Sequence, residues 1–195
     1  HCGWKGSLKP ERAVKNYVKP VWTNNTSLSD KVVQWFKTRG ISQKVLIDAK
    51  ITEQREWMPQ TSKEENCIGF NYFRGGELIN TKFRTGAKDF KLVKDAEMIF
   101  YNYDGLKGNT VVIVEGEIDA LSFIEAGINY VLSVPNGAVK GENQRLDYLD
   151  NCIELFTNVK TVILAVDNDE AGIYLREELK RRLGSDRCFK VDFDD

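Results

Sequence analysis

Two apolar runs, each ending in acids, constrain this chain more than any other feature. Val111-Val112-Ile113-Val114 runs into Glu115-Gly116, and Val162-Ile163-Leu164-Ala165-Val166 runs into Asp167-Asn168-Asp169. A short continuous run of β-branched residues reads as a strand buried on both faces. Parallel strands in one open sheet bring their carboxyl ends to one edge, where ligands bind. Asp119, four residues after Glu115, would sit one turn into the following helix and face the same edge. If the two strands are neighbours, Glu115, Asp119, Asp167 and Asp169 converge. Carboxylates so crowded repel, and they stay ionised together most readily around a hard divalent cation such as Mg²⁺ (or Mn²⁺).

The surrounding pattern alternates. The strand at 111–115 leads to a helix near 118–126 ending at Gly127, then to a strand at 130–134 and the loop Pro135-Asn136-Gly137-Ala138. A helix near 142–157 follows, with Leu146, Leu149, Ile153 and Phe156 on one face. A strand at 161–166, a helix near 170–183 ending at Gly184 and a strand near 188–193 complete the chain. Strict alternation predicts an α/β fold with a parallel sheet, flanking helices and right-handed crossovers. Three glycines have separate expected uses: Gly116 lets backbone approach the site, Gly137 can take positive φ, and Gly172 permits close packing of a helix or phosphate.

Upstream of a boundary near residue 108, the residues predict a smaller α+β subdomain. Ser29 or Asp30 caps a helix whose apolar face holds Val32, Val33, Trp35 and Phe36, and Gly40 stops it. Ser42 caps a second, short helix carrying Val45, Leu46 and Ile47. A loop with Pro59, Thr61, Ser62 and several charges is expected next. Residues 67–73 and 77–83 read as a β-hairpin about Arg74-Gly75-Gly76. Lys82, Arg84, Lys88, Lys91 and Lys94 follow, interleaved with Phe83 and Phe90.

At 195 residues the chain has room for one large domain or two small ones. A net charge of −1 carries no nucleic-acid signature by itself. The distribution says more, with basic clusters in the first half and acids at the strand ends, an arrangement that a nucleic-acid enzyme with a metal site often needs; charge alone fits a mixed solvated surface better. The four cysteines, Cys2, Cys67, Cys152 and Cys188, show no paired spacing, which points to a reducing cytoplasm and inert thiols. No run approaches the roughly 18 apolar residues of a membrane span. The chain starts at HCGWKG and stops on DFDD, and is expected to be a piece of a longer protein.

Other arrangements also use strand-end acids. Asp167 or Asp169 could simply cap the helix at 170. A P-loop enzyme would need GxxxxGK[ST], which this sequence lacks. A phosphoacceptor receiver domain would want a lysine at a later strand end, and none stands there.

Taken together, VEGEIDALSF, SVPNGA and AVDNDEAG resemble the three motifs of the TOPRIM domain shared by primases, topoisomerases and some nucleases. KFRTGAKDF, FYNYDGLKG and the RGIS at 39–42 narrow the resemblance to the primase half of bacteriophage primase–helicases and their mitochondrial relative Twinkle. It covers about residues 27–195. Division is expected at 27–108 (basic subdomain) and 109–195 (TOPRIM domain, truncated at its carboxyl end). Residues 1–6, with Cys2, resemble the end of a preceding zinc-binding domain that could bind zinc only in the longer parent protein.

The resemblance implies Mg²⁺-dependent RNA primer synthesis from NTPs on single-stranded DNA, beside a C-terminal replicative helicase domain in the parent chain. It implies a catalytic role for Glu115, supported by Asp119, with metal ligation by Glu115, Asp167 and Asp169. Nucleotide or DNA contacts are implied at Lys82, Arg84 and Lys88, and we place Asn136 and Gly137 of the SVPNGA loop with them. The location implied is a bacterial or phage-infected cytoplasm rather than a mitochondrion. Two alternatives stand beside this one: an inactive, DNA-binding primase-like module, and a TOPRIM nuclease or topoisomerase. The family's KDANE-like segment, whose acid can complete the metal site, is absent; Asp192, Asp194 and Asp195 are not given its role.

Overall fold

The computed structural model describes residues 15–138 and 146–191. Cys2 and the HCGWKG segment lie outside the described residues, as do Asp192, Asp194 and Asp195.

Two short helices open the fold. Helix α1 spans Asp30–Lys37 and α2 spans Gln43–Asp48. Each begins at the expected serine: the Ser29 side chain accepts from the Val32 N–H and the Ser42 side chain from the Val45 N–H. Gly40 takes φ +73° and turns the chain between them. Val32, Phe36, Val45 and Leu46 are the faces these helices bury.

An antiparallel sheet follows, made of β1 (Thr52–Met58), β2 (Lys63–Arg74), β3 (Glu77–Thr85) and β4 (Phe90–Leu92), in that spatial order. The β2–β3 hairpin closes through Gly75 and Gly76, both at positive φ, as a tight two-residue turn requires. Their N–H groups donate to the Asp104 carboxylate at 2.7 and 2.9 Å. Strand β1 corrects the expectation of a loop over this stretch. TEQREWM shows no apolar alternation, and only its end residues Thr52 and Met58 are buried. Its form comes from the ladder to β2, running from Thr52↔Gly69 to Met58↔Lys63; an edge strand can leave its charges in water.

The second sheet is parallel throughout. It comprises β5 (Thr110–Val114), β6 (Val131–Ser133), β7 (Thr161–Leu164) and β8 (Cys188–Lys190), in the order β6-β5-β7-β8. The two acid-ended strands, β5 and β7, are direct neighbours. Val111 to Val114 are all buried, as a central strand covered on both faces must be. Helix α3 (Glu117–Glu125) links β5 to β6, and α5 (Glu170–Leu183) links β7 to β8.

The helix expected near 142–157 is different. Within the described residues it is α4 (Asp147–Asn151), then a separate 3₁₀ turn over Ile153–Phe156. The break falls at Cys152, whose φ of −123° leaves the helical region. A break there changes the rotation between the two halves, so Leu146, Leu149 and Phe156 stay buried while Ile153 is 49% exposed.

One hydrophobic core runs through both sheets, joining Phe70, Tyr72 and Ile79 to Val112, Ile113 and Leu164. Edge-to-face rings at the join, Tyr72 on Tyr101 at 5.3 Å and Phe70 on Tyr101 at 6.2 Å, fix the two sheets side by side. Among the described residues, no helix is long and apolar enough to cross a membrane.

Candidate active site

Alternation along β3 sends Lys82 and Arg84 to one face and Thr81 and Phe83 to the other. Lys82 and Arg84 lie opposite Phe70 and Ile68 of β2, on the side that meets the parallel sheet. Between them and the carboxyl end of β5 lies a cleft of about 650 Å³. Its basic wall holds Arg39, Lys82, Arg84 and Lys88; its other wall holds Glu115, Asp119, Asn136 and Gly137. A second cleft, of about 580 Å³, lies on the opposite face of the antiparallel sheet, with Thr81, Phe83 and the 20–23 segment in its walls and no strand-end acid.

The acids stand close to one another. Glu115 Oε1 accepts from the Asp167 N–H at 2.9 Å, which ties the end of β5 to the loop after β7. Burial, and then the charges of Asp167 and Asp169, hold the Glu115 carboxyl above the ordinary range, although the Asp167 and Ala138 N–H groups pull the other way. Asp119 opens to solvent at its surface but is crowded by protein behind. That crowding, then the charge of Asp167, raises its pKa too, against a hydrogen bond from the Gly116 N–H. Asp169 caps α5, its Oδ1 accepting from Gly172 N at 2.8 Å. The capping role considered for it is therefore real.

Among the described residues no three His, Cys, Asp or Glu side chains stand close enough to hold a metal by themselves. The donor set nevertheless has the chemistry for one: all oxygen, crowded and mutually repelling. It fits an octahedral cation that keeps water and takes phosphate oxygens from a substrate, as Mg²⁺ does, better than it fits a protein-only cage.

The basic wall has its own logic. Arg84 is 5% exposed, and its guanidinium donates to the Thr85 carbonyl at 3.1 Å. It lies 4.6 Å from the centre of the Trp35 ring, while Arg39 lies 3.7 Å from the same ring. Burial, then the Arg39 charge, lowers the Arg84 pKa, yet a guanidinium stays charged at neutral pH. Two cations on one indole create a strong demand for an anion in the cleft. Lys88 is exposed, in a turn where its φ is +71°. Lys82 differs: its ammonium pairs with both oxygens of Glu117, at 2.9 and 3.1 Å.

Of the expected site residues, Lys82, Arg84, Lys88, Glu115, Asp119, Asn136 and Gly137 line one cleft; Asp167 and Asp169 stand behind Glu115 and are not in its lining. Sequence reasoning passed over Glu117 and Arg39. Arg39 had a weak signal in the RGIS that ends the first helix. Glu117 had none, because its partner Lys82 lies 35 residues away.

Residues 112–193 match the Toprim-like family. These residues carry a Toprim-like domain. Over 97% of its length it is 33% identical to the Primase homolog protein of Arabidopsis thaliana, and over 97% it is 30% identical to the Twinkle homolog protein, chloroplastic/mitochondrial, of the same plant. It spans 60% and 29% of the lengths of those two relatives. The primase fragment of the bacteriophage T7 primase–helicase superposes with a TM-score of 0.64 at 24% identity, covering 80% of this chain and 64% of that one. That superposition establishes the shared fold of the Toprim sheet and its antiparallel neighbour. The α/β architecture and family expected from the motifs are borne out.

Proposed function

We propose that this chain is the RNA polymerase core of a primase, joining ribonucleotides on a single-stranded DNA template. The observation that carries the reading is the single cleft in which Arg39, Arg84 and Lys88 face Glu115 and Asp119. Phosphates need the first wall and nucleotidyl transfer needs the second.

In this mechanism the arginines and Lys88 neutralise the triphosphate and orient it in line with the attacking 3′-hydroxyl. The hydroxyl oxygen bonds to the α-phosphorus, the bond to the β-phosphate oxygen breaks, and pyrophosphate leaves. Glu115, at the carboxyl end of β5 and in the lining of the cleft, receives the hydroxyl proton. Asp119 supports it at the mouth of the cleft, and the Asn136-Gly137 loop, with Gly137 at φ +65°, offers backbone to the nucleotide. A Mg²⁺ or Mn²⁺ ion held by Glu115, Asp167 and Asp169 would lower the pKa of the attacking hydroxyl and offset charge on the leaving group.

The reading includes a division at 27–108 and 109–195, a template of single-stranded DNA, NTP substrates and a helicase domain in the parent chain. The T7 neighbour is by its name part of a primase–helicase, which supports the last of these. Under this reading a bacterial or phage-encoded parent works in the cytoplasm; the name of one Arabidopsis relative instead gives chloroplast and mitochondrion.

The test is primer synthesis by the full-length protein on single-stranded DNA with labelled NTPs and Mg²⁺ or Mn²⁺, beside Glu115→Gln. Template-dependent oligoribonucleotides are expected from the wild type, with a fall of roughly 10²–10⁴-fold in the variant, as for a positioned acid–base group. DNA binding without synthesis by either protein would favour the inactive binding module. DNA strand cleavage would favour a nuclease or topoisomerase.

A further inference from the structure

Glu117 lies between the two cleft acids in sequence and borders the same cleft, but its carboxylate is buried against β2 and β3 at the join between the sheets. Its side chain is 4% exposed and pairs with Lys82, itself 11% exposed. It also accepts from the hydroxyl of Tyr72, a fully buried residue of β2. Glu117 begins α3, directly after Gly116. The start of the helix that carries Asp119 is thus fastened to β2 and β3, the strands that carry the basic wall.

We infer that Glu117 and Lys82 are a positioning pair: they hold the acidic wall in register with the basic wall, and the Lys82 ammonium is not a phosphate contact. This rests on the nucleotidyl-transfer reading above. The chemistry favours it on two grounds. A buried ammonium bound by both oxygens of a carboxylate has its charge already answered, whereas Arg39 and Arg84 share the Trp35 ring and, among the described residues, show no ion pair with a carboxylate. A phosphate reaching Lys82 would also have to displace Glu117, leaving that carboxylate buried and unpaired, which is strongly unfavourable. Lys82 also lies 5.1 Å from the centre of the Phe90 ring, so β4 is held by the same side chain.

Three variants test the pair in the full-length protein: Lys82→Met, Glu117→Gln and the two together. The readouts are kcat and KM for NTP in primer synthesis, nucleotide Kd, Tm, and hydrogen exchange over residues 115–121. Each single variant strands a buried charge, so Tm should fall by roughly 10 °C and exchange over 115–121 should quicken. The kcat should fall about 10–100-fold, as expected for a misplacement near 1 Å, while KM and Kd stay within about twofold of wild type because no phosphate contact is lost. The double variant, which keeps a Gln to accept from Tyr72, should recover Tm, exchange protection and at least several-fold in kcat over Lys82→Met.

A direct phosphate role predicts the opposite pattern. Kd and KM would then rise about tenfold or more in Lys82→Met and in the double variant alike, and Glu117→Gln, by freeing the ammonium, would bind nucleotide more tightly. That result overturns the inference. Unchanged kcat in destabilised single variants also overturns it, since the pair would then only weld the sheets. Failure of the wild type to make primer sinks the polymerase reading instead, while the exchange and Tm arms still read whether the pair fastens α3.

Discussion

Gly172 sits in the first turn of α5, against the strand-end acids, and replacing it with alanine tests the site and its scaffold together. A Cβ there would lie 2.2 Å from the Asp167 carbonyl oxygen and 2.6 Å from Glu115 Oε1. An ordinary carbon–oxygen contact is about 3.3 Å, so the helix start or the loop after β7 must retreat by roughly 1 Å. The carbonyl is backbone and cannot swing aside. Such overpacking costs about 1–3 kcal/mol, and disturbing the bond from Gly172 N to Asp169 Oδ1 adds about 1 kcal/mol. Alanine's helix propensity returns about 1 kcal/mol. The net loss is about 1–3 kcal/mol, a Tm drop of roughly 2–10 °C at this chain length. The function should suffer more than the fold, because the same displacement moves Asp167 and Asp169 relative to Glu115. A fall of about 10²-fold in primer synthesis is expected. The assay is calorimetric unfolding beside labelled primer synthesis. A Gly172→Ala protein as stable and as active as wild type would refute the close-approach argument.

Three further outcomes are expected. Calorimetry with Mn²⁺ should show weak binding by the wild type and none by the double variant Asp167→Ala/Asp169→Ala; equal binding by both would remove the metal site from these residues. Replacing Arg84 and Lys88 with alanine should weaken binding of single-stranded DNA or NTP, and flatten the salt dependence by about 0.7 in logarithmic slope per lost phosphate contact on a single strand; an unchanged slope would make them an ordinary solvated face. Burial works against ionisation of Glu53, but hydrogen bonds from Ser29 N at 2.6 Å, Asn66 Nδ2 at 2.6 Å and Ser29 Oγ at 2.9 Å outweigh it and hold its carboxyl below the ordinary 4.5. Its stabilisation is therefore present above pH 4.5 and lost as pH falls through the lower folded value. The Tm gap between wild type and Glu53→Gln should close on acidification through that window, and a gap that widens instead would reverse the assignment.

What the sequence determined by itself is whatever depends on near neighbours along the chain. The β-branched run at 111–114 can bury only as a central strand, and Ser29, Ser42 and Asp169 can satisfy helix N–H groups two or three residues on. The strand-end acids were legible for the same reason, since alternating strands and helices already send their carboxyl ends to one edge. Strand β1 was not legible: its charged residues follow no period, and pairing with β2 supplies the hydrogen bonds that make it a strand. Nor was the break at Cys152 that turns Ile153 outward. Tertiary structure alone decided which of the cleft's cations is already paired with a carboxylate. In sequence Lys82 and Arg84 look like equivalents two residues apart, on one face of one strand. In the fold, Lys82 meets a buried carboxylate from 35 residues away, while Arg84 shares an indole with Arg39. A charge is answered by whatever the chain brings within a few ångströms, and sequence separation carries no record of that distance.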